Sequence, residues 1–169
     1  EPNRFELQAA FMKAHPEVDI CGAQADDIGA TGEILGPRTV PQRHADILKL
    51  IWSCPVIHPS VILRRKRIMA LGSYHPGASH RQEDLDLWLR AARSGYIFHN
   101  LGESLLRYRV LDDQLKKNSL RVAYQRLRLA MGAAWTFDRR LYSFLLVLYP
   151  FMRSFLPHGV AVRLQAVVQ

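Results

Sequence analysis

Near the middle of the 169-residue chain three carboxylates fall within four residues, Glu83-Asp84-Leu85-Asp86. They stand where apolar residues begin to recur at helical spacing, with Leu85, Trp88, Leu89 and Ala92 at i, i+3, i+4 and i+7, and Gly95 supplies the stop. The spacing predicts a helix with acids in its first turn. Free amides and the positive end of the helix dipole favour negative charge there. A carboxylate beside a substrate accepts protons, which is the equipment of general-base chemistry. Successive helical residues point about 100° apart, so Glu83 and Asp84 do not address one substrate atom; one acts while the other orients. Asp86 and Arg90, at i and i+4, form an ion pair on the surface or behind the site. Acids also open helices that catalyse nothing, so the pattern alone leaves both readings standing.

The elements that must position these acids read as mixed α and β. Pro2 suits a first helical turn, and Phe5, Leu7, Ala9, Phe11 and Met12 give apolar spacing up to His15-Pro16. A strand is predicted from Val18 to Ala25, a turn over Asp26 to Gly32, and a returning hairpin strand from Glu33 to Val40. Pro41 to Trp52 reads as a helix carrying Ile47, Leu48, Ile51 and Trp52. Val56 to Leu63 is an apolar strand interrupted by His58-Pro59-Ser60, and Pro59, which cannot donate to a ladder, places it at an edge or bulge. Arg64-Arg65-Lys66-Arg67 caps that strand. Leu71 to Gln82 is a polar loop, and Tyr96–Leu101 and Ser104–Tyr108 are two short strands. There is no repeat, no Gly-rich phosphate cradle and no Gly-x-Ser-x-Gly elbow. His75, His80 and Glu83 straddle a loop without a tight ligand pair, so no metal is expected on them. Cys21 and Cys54 close at most one bridge and read as buried small hydrophobes in a reducing, cytosolic setting.

One ordered series of short motifs carries more than any of them singly: Pro2-Asn3-Arg4-Phe5-Glu6-Leu7-Gln8, His15-Pro16-Glu17-Val18-Asp19, Asp27-Ile28-Gly29, His58-Pro59-Ser60-Val61, Leu71-Gly72-Ser73-Tyr74, Glu83-Asp84-Leu85-Asp86-Leu87-Trp88-Leu89-Arg90 and Tyr108-Arg109. From about residue 1 to 110 the chain resembles the second half of family 2 glycosyltransferases, inverting enzymes of the GT-A fold that move a sugar from a nucleotide-sugar to an acceptor hydroxyl. Ser73 departs from a second glycine common in the family. The resemblance implies an α/β fold with a short mixed sheet and flanking helices, residues 1–112 being the acceptor-side half of a GT-A domain. It implies Asp84 as general base, with Glu83 orienting or assisting. His58 then either touches donor or acceptor or satisfies backbone at its proline bulge. Trp88 stacks on a sugar or fills the core, and Arg90 joins them on the substrate side or serves Asp86. The family's nucleotide-binding half and its Asp-x-Asp metal motif precede the segment at which this chain opens, so the chain is expected to be a piece of a longer reading frame. Ligands for a divalent cation, Mg or Mn, are expected upstream of residue 1. Asp26-Asp27, read as a hairpin turn, does not replace them, and the 169 residues alone are expected to be inactive.

The net charge of +8 is confined to one end. Residues 1–113 hold 14 Lys/Arg and 14 Asp/Glu, whereas residues 114–169 hold 9 basic residues and the single acid Asp138. A balanced body followed by a basic segment points to an anionic partner, membrane or nucleic acid. Residues 113–169 read as helices: Leu120, Ala123, Tyr124, Leu127, Ala130, Met131 and Ala134 share one face, and Pro150 and Pro157 are expected to cut the stretch beyond Arg139-Arg140 into short amphipathic pieces. Aromatic, aliphatic and arginine side chains in this mixture suit a helix lying in a membrane interface, or one that packs on the body. The longest apolar run, near Phe144–Phe151, is far short of the ~20 residues of a bilayer span, and no signal peptide is visible. The expectation is a peripheral protein on the cytoplasmic face of the plasma membrane, serving a glycan or lipid-linked acceptor in surface polysaccharide or glycolipid synthesis. The competing class is a non-enzymatic basic module on anionic membrane or nucleic acid, although no nucleic-acid motif is present.

Overall fold

The computed structural model describes residues 1–75, 82–110 and 120–153. Its centre is β1 (Ile20–Ile28), flanked along its whole length by the parallel strand β4 (Phe98–Arg109). The other edge of β1 is shared: β2 (Ile34–Arg38) runs antiparallel beside residues 25–28, and the two-residue β3 (Ile62–Leu63) beside Ile20 and Cys21. Six helices complete the described chain: α1 (Arg4–Ala14), α2 (His44–Lys49), α3 (Arg65–Ala70), α4 (Glu83–Arg93), α5 (Leu120–Phe137) and α6 (Leu141–Arg153). This is the mixed α/β class that the pattern predicts.

β1 is buried because both faces of the sheet are covered, and its alternation feeds two cores. Ile20 points into the larger one, with Ile47, Ile51, Leu85, Trp88, Leu89 and Phe98. Cys21 and Ala23 point into the smaller, with Met12, Val18, Leu101 and Leu105. Polar side chains tie the sheet to the segments between strands. The Gln8 amide donates to the Cys21 and Ser60 carbonyls at 3.1 and 2.7 Å. The Asn100 amide donates to the Pro41 and Pro55 carbonyls at 2.7 and 3.0 Å, and Ser60 Oγ bonds the Ala23 and Ile57 backbone.

Several expectations are corrected. β1 runs through Asp26 and Asp27 rather than turning there, because Arg38 pairs with Asp27 at 2.7 Å and Ser104 donates to Asp26 at 2.8 Å. The two short strands after Gly95 are one, with Gly102 and Glu103 as a bulge between the partners Ala23↔Leu101 and Gln24↔Ser104. The basic run enters a helix, α3, and Val56–Leu63 is not one strand but holds a 3-10 turn at His58–Ser60 before the two residues of β3. α1 buries Gln8 and Met12, whereas Phe5 is exposed. Pro150 does not break α6, which continues to Arg153.

The C-terminal helices belong to the same body. Ala130, Ala133 and Ala134 of α5 and Val147 of α6 enter the larger core beside α4. Small residues let α5 lie close against its neighbours, the 3-10 turn Ile51–Ser53 among them. Pro157 and the residues after 153 lie outside the described residues.

Candidate active site

α4 opens without help from its N-cap, since the Gln82 side chain makes no capping bond. Asp84 meets one of the free amides instead. Asp84 Oδ1 accepts the Leu85 N–H at 2.7 Å, and Oδ2 accepts the Cys54 S–H at 3.6 Å. Asp84 is half-buried and Glu83 exposed, the divergence that consecutive helical positions require. Asp84 is therefore neither turned into the core nor loose on the surface.

Arg90 pairs with Asp86 at 2.8 Å and donates to the Leu71 and Ser73 carbonyls at 2.9 and 2.7 Å. It thus clamps the segment after α3 onto α4. That segment holds two successive left-handed residues, Gly72 at φ 87° and Ser73 at φ 54°. Ser73 occupies a conformation in which glycine is cheapest. Past the clamp comes Tyr74, whose hydroxyl shares a 2.7 Å hydrogen bond with His58 Nε2. Burial, and then the charges of Asp84 and Glu83, raise the Tyr74 phenol above its ordinary value and keep it protonated. The His58 ring stands edge-on to Trp88 at 5.9 Å, and Trp88 edge-on to Phe98 at 6.4 Å. Trp88 has no exposed surface; its place is the floor beneath His58.

The structure therefore brings Asp84, Glu83, His58 and Trp88 together and makes Arg90 the brace of a neighbouring segment. Two members were not singled out by the spacing. Cys54 ends the 3-10 turn Ile51–Ser53 in a left-handed conformation, φ 64°. Burial and the Asp84 carboxylate push its thiol strongly upward, against a smaller opposing effect of Arg126 on α5. Tyr74 lies in one of the short motifs of the ordered series but had no role. Only its hydrogen bond to a residue 16 positions away reveals one.

Among the described residues no three His, Cys, Asp or Glu side chains stand ready to hold a metal ion; His80 lies outside them. Asp26 and Asp27 lie in β1 rather than in a turn, where Ser104 donates to Asp26 and Arg38 pairs with Asp27. A cleft of about 320 Å³ lined by Ala9, Met12, Lys13, Ile62, Leu63 and Arg64 includes none of the candidate residues.

No family profile matches the chain. Over 163 residues it is 27% identical to a Bacillus subtilis protein named as a glycosyltransferase, EpsE, covering 94% of this chain and 57% of that one. It is 33% identical over 111 residues to an uncharacterized glycosyltransferase of Haemophilus influenzae, covering 64% of this chain and 40% of that one. It is 32% identical over 117 residues to the amylovoran biosynthesis glycosyltransferase AmsE of Erwinia amylovora, covering 69% and 43%. The chain is thus similar to glycosyltransferases at modest identity, and it spans about half the length of the curated relatives it matches.

Proposed function

We propose that this chain is the acceptor-side half of an inverting, family 2-like glycosyltransferase of GT-A fold, acting in polysaccharide or glycolipid assembly. Asp84 is its general base. In the reaction the acceptor oxygen forms a bond to the anomeric carbon and the bond from that carbon to the nucleoside diphosphate breaks. The diphosphate leaves with the electron pair, and the acceptor proton passes to Asp84. The observation that carries the reading is the placement of Asp84. It lies in the first turn of α4, half-buried, and among the described residues one donor meets each oxygen, the Leu85 N–H on Oδ1 and the Cys54 S–H on Oδ2. Glu83, exposed beside it, orients the acceptor, and His58 with Tyr74 forms the adjoining polar edge.

On this reading, which rests on the family resemblance, nucleotide and divalent cation are held upstream of residue 1; the described residues offer no ligand set for a cation. The similarity of the chain to proteins named for glycosyl transfer, one of them for amylovoran biosynthesis, supports the substrate class. Peripheral attachment to the inner face of the plasma membrane is part of the same proposal. No helix among the described residues is long and apolar enough to cross a bilayer, yet α6 leaves Leu141, Tyr142, Leu145, Leu146 and Met152 exposed.

The test is Asp84→Asn in the protein carrying the donor-binding residues. Transfer falls by about 10² to 10⁴, while donor affinity stays near that of the parent. Turnover at the parental rate would remove Asp84 from the role. The 169 residues alone are inactive; multiple turnovers by them would contradict the division into halves.

A further inference from the structure

We propose that Cys54 is the positioning residue of the Asp84 carboxylate, holding through its S–H the oxygen that α4 leaves unbound. The inference rests on the reading of Asp84 as the base. Within α4 the only bond to this carboxylate is the Leu85 N–H on Oδ1, and a side chain fixed at one oxygen still swings the other. Cys54 Sγ, 3.6 Å from Oδ2, supplies the second point.

The geometry is specific in two ways. Asp84 and Trp88 are i and i+4 on α4, on one helical face, and both meet the same sulfur. The Trp88 indole N–H is buried without a regular hydrogen-bond partner, and its influence falls on Cys54. The sulfur directs its own proton to the carboxylate. Cys54 also occupies a left-handed backbone, φ 64° and ψ 60°, where any β-carbon is strained relative to glycine. Glycine is the least strained occupant, and the side chain that is present reaches the candidate base. Arg126 of α5 is the positive group that acts on this sulfur from outside α4.

A base displaced by 1 Å costs on the order of 10²-fold in rate, and loss of one weak donor displaces it by less. In the protein carrying the donor-binding residues, Cys54→Gly therefore lowers kcat about tenfold with KM unchanged. The fold is retained, because glycine suits the left-handed position. Cys54→Ser, whose hydroxyl donates in the same direction, recovers most of the lost rate, and Cys54→Ala does not. The second readout needs no activity. In the present chain Asp84→Asn removes the charge that disfavours the thiolate, so alkylation of Cys54 by iodoacetamide at mildly alkaline pH accelerates several-fold, whereas Cys21 is unaffected. If Asp84→Asn abolishes transfer but Cys54→Gly turns over like the parent, the positioning role falls and the base survives. An unchanged alkylation rate also overturns it. If Asp84→Asn itself turns over normally, base and positioning role fall together.

Discussion

Gly22 and Asn100 are directly paired across β1 and β4, and a β-carbon at residue 22 would sit 2.2 Å from Asn100 Oδ1. Asn100 has no room to retreat. It is fully buried, and its amide is committed to the carbonyls of Pro41 and Pro55, the segments that carry the chain into α2 and out of the 3-10 turn before His58. Gly22→Ala must therefore break these bonds or spread the strands. The expected loss is about 2–4 kcal/mol, combining overpacking with orphaned buried polar groups, read as a shift of the urea midpoint at constant slope. A loss below about 0.5 kcal/mol, the ordinary surface range, would show that the strands yield freely.

The Arg90 clamp gives a second expectation. Its three bonds reach Asp86 and the carbonyls of Leu71 and Ser73, and the segment they hold delivers Tyr74 to His58. Arg90→Ala frees that segment, and the fork cannot be reproduced by lysine. Expected outcomes are a stability loss of about 1–3 kcal/mol and faster amide exchange at residues 72–74. In the active protein, acceptor KM rises more than kcat falls. Parental exchange rates in Arg90→Ala would refute the clamp.

How much of this was legible in the sequence depends on how local its causes are. α4 and its acids are readable because the i, i+3, i+4 pattern, the acids and Gly95 lie within 13 consecutive residues. The hairpin is readable from its turn residues, but not the length of β1. Asp26 and Asp27 carry strand backbone only because Ser104 and Arg38 meet their charges. α3 is hidden in a basic run that looks solvated. Arg64 donates to the Met12, His15 and Val18 carbonyls, and Arg67 pairs with Asp19, partners about 50 residues earlier. The same reason conceals Cys54 and Tyr74. Each is placed at Asp84 or His58 by the approach of separate segments, and no spacing within one element encodes that.

The apolar side of α6 yields a prediction about surfaces. Trp135, Leu141, Tyr142, Leu145 and Met152 are exposed. Arg139 donates to the Trp135 carbonyl, and Arg140 pairs with Asp138. On the proposed reading an anionic membrane surface buries the leucines and attracts the arginines. The chain is expected to sediment with phosphatidylglycerol vesicles and not with phosphatidylcholine vesicles. Salt should weaken the attachment, and Leu141→Ser with Leu145→Ser should abolish it without changing the melting temperature. Salt-dependent binding to DNA with no vesicle binding would favour the alternative of a basic nucleic-acid module.

Two histidines give the fold a pH response. His44 Nδ1 accepts the Phe98 N–H at 3.3 Å, which requires a neutral ring, and burial lowers its pKa below the ordinary value. Burial, then the neighbouring His15, lowers His99 likewise, its ring stacked on Phe11 at 4.5 Å. In the unfolded chain both titrate near about 6.5. A depressed folded value means that the unfolded chain binds the proton first. The stabilisation is therefore complete above about pH 6.5 and is lost as the pH falls through the folded values. Glu17, Glu33 and Asp46 are all held below their ordinary values and stay charged through this window, so they add no slope of their own. The melting temperature is expected to hold between about pH 8 and 7 and to fall toward pH 5.5. His44→Asn, which retains an acceptor for the Phe98 amide without a titrating ring, should flatten part of that fall, and adding His99→Asn should flatten most of the rest. A double variant as pH-sensitive as the parent would assign the response to other groups.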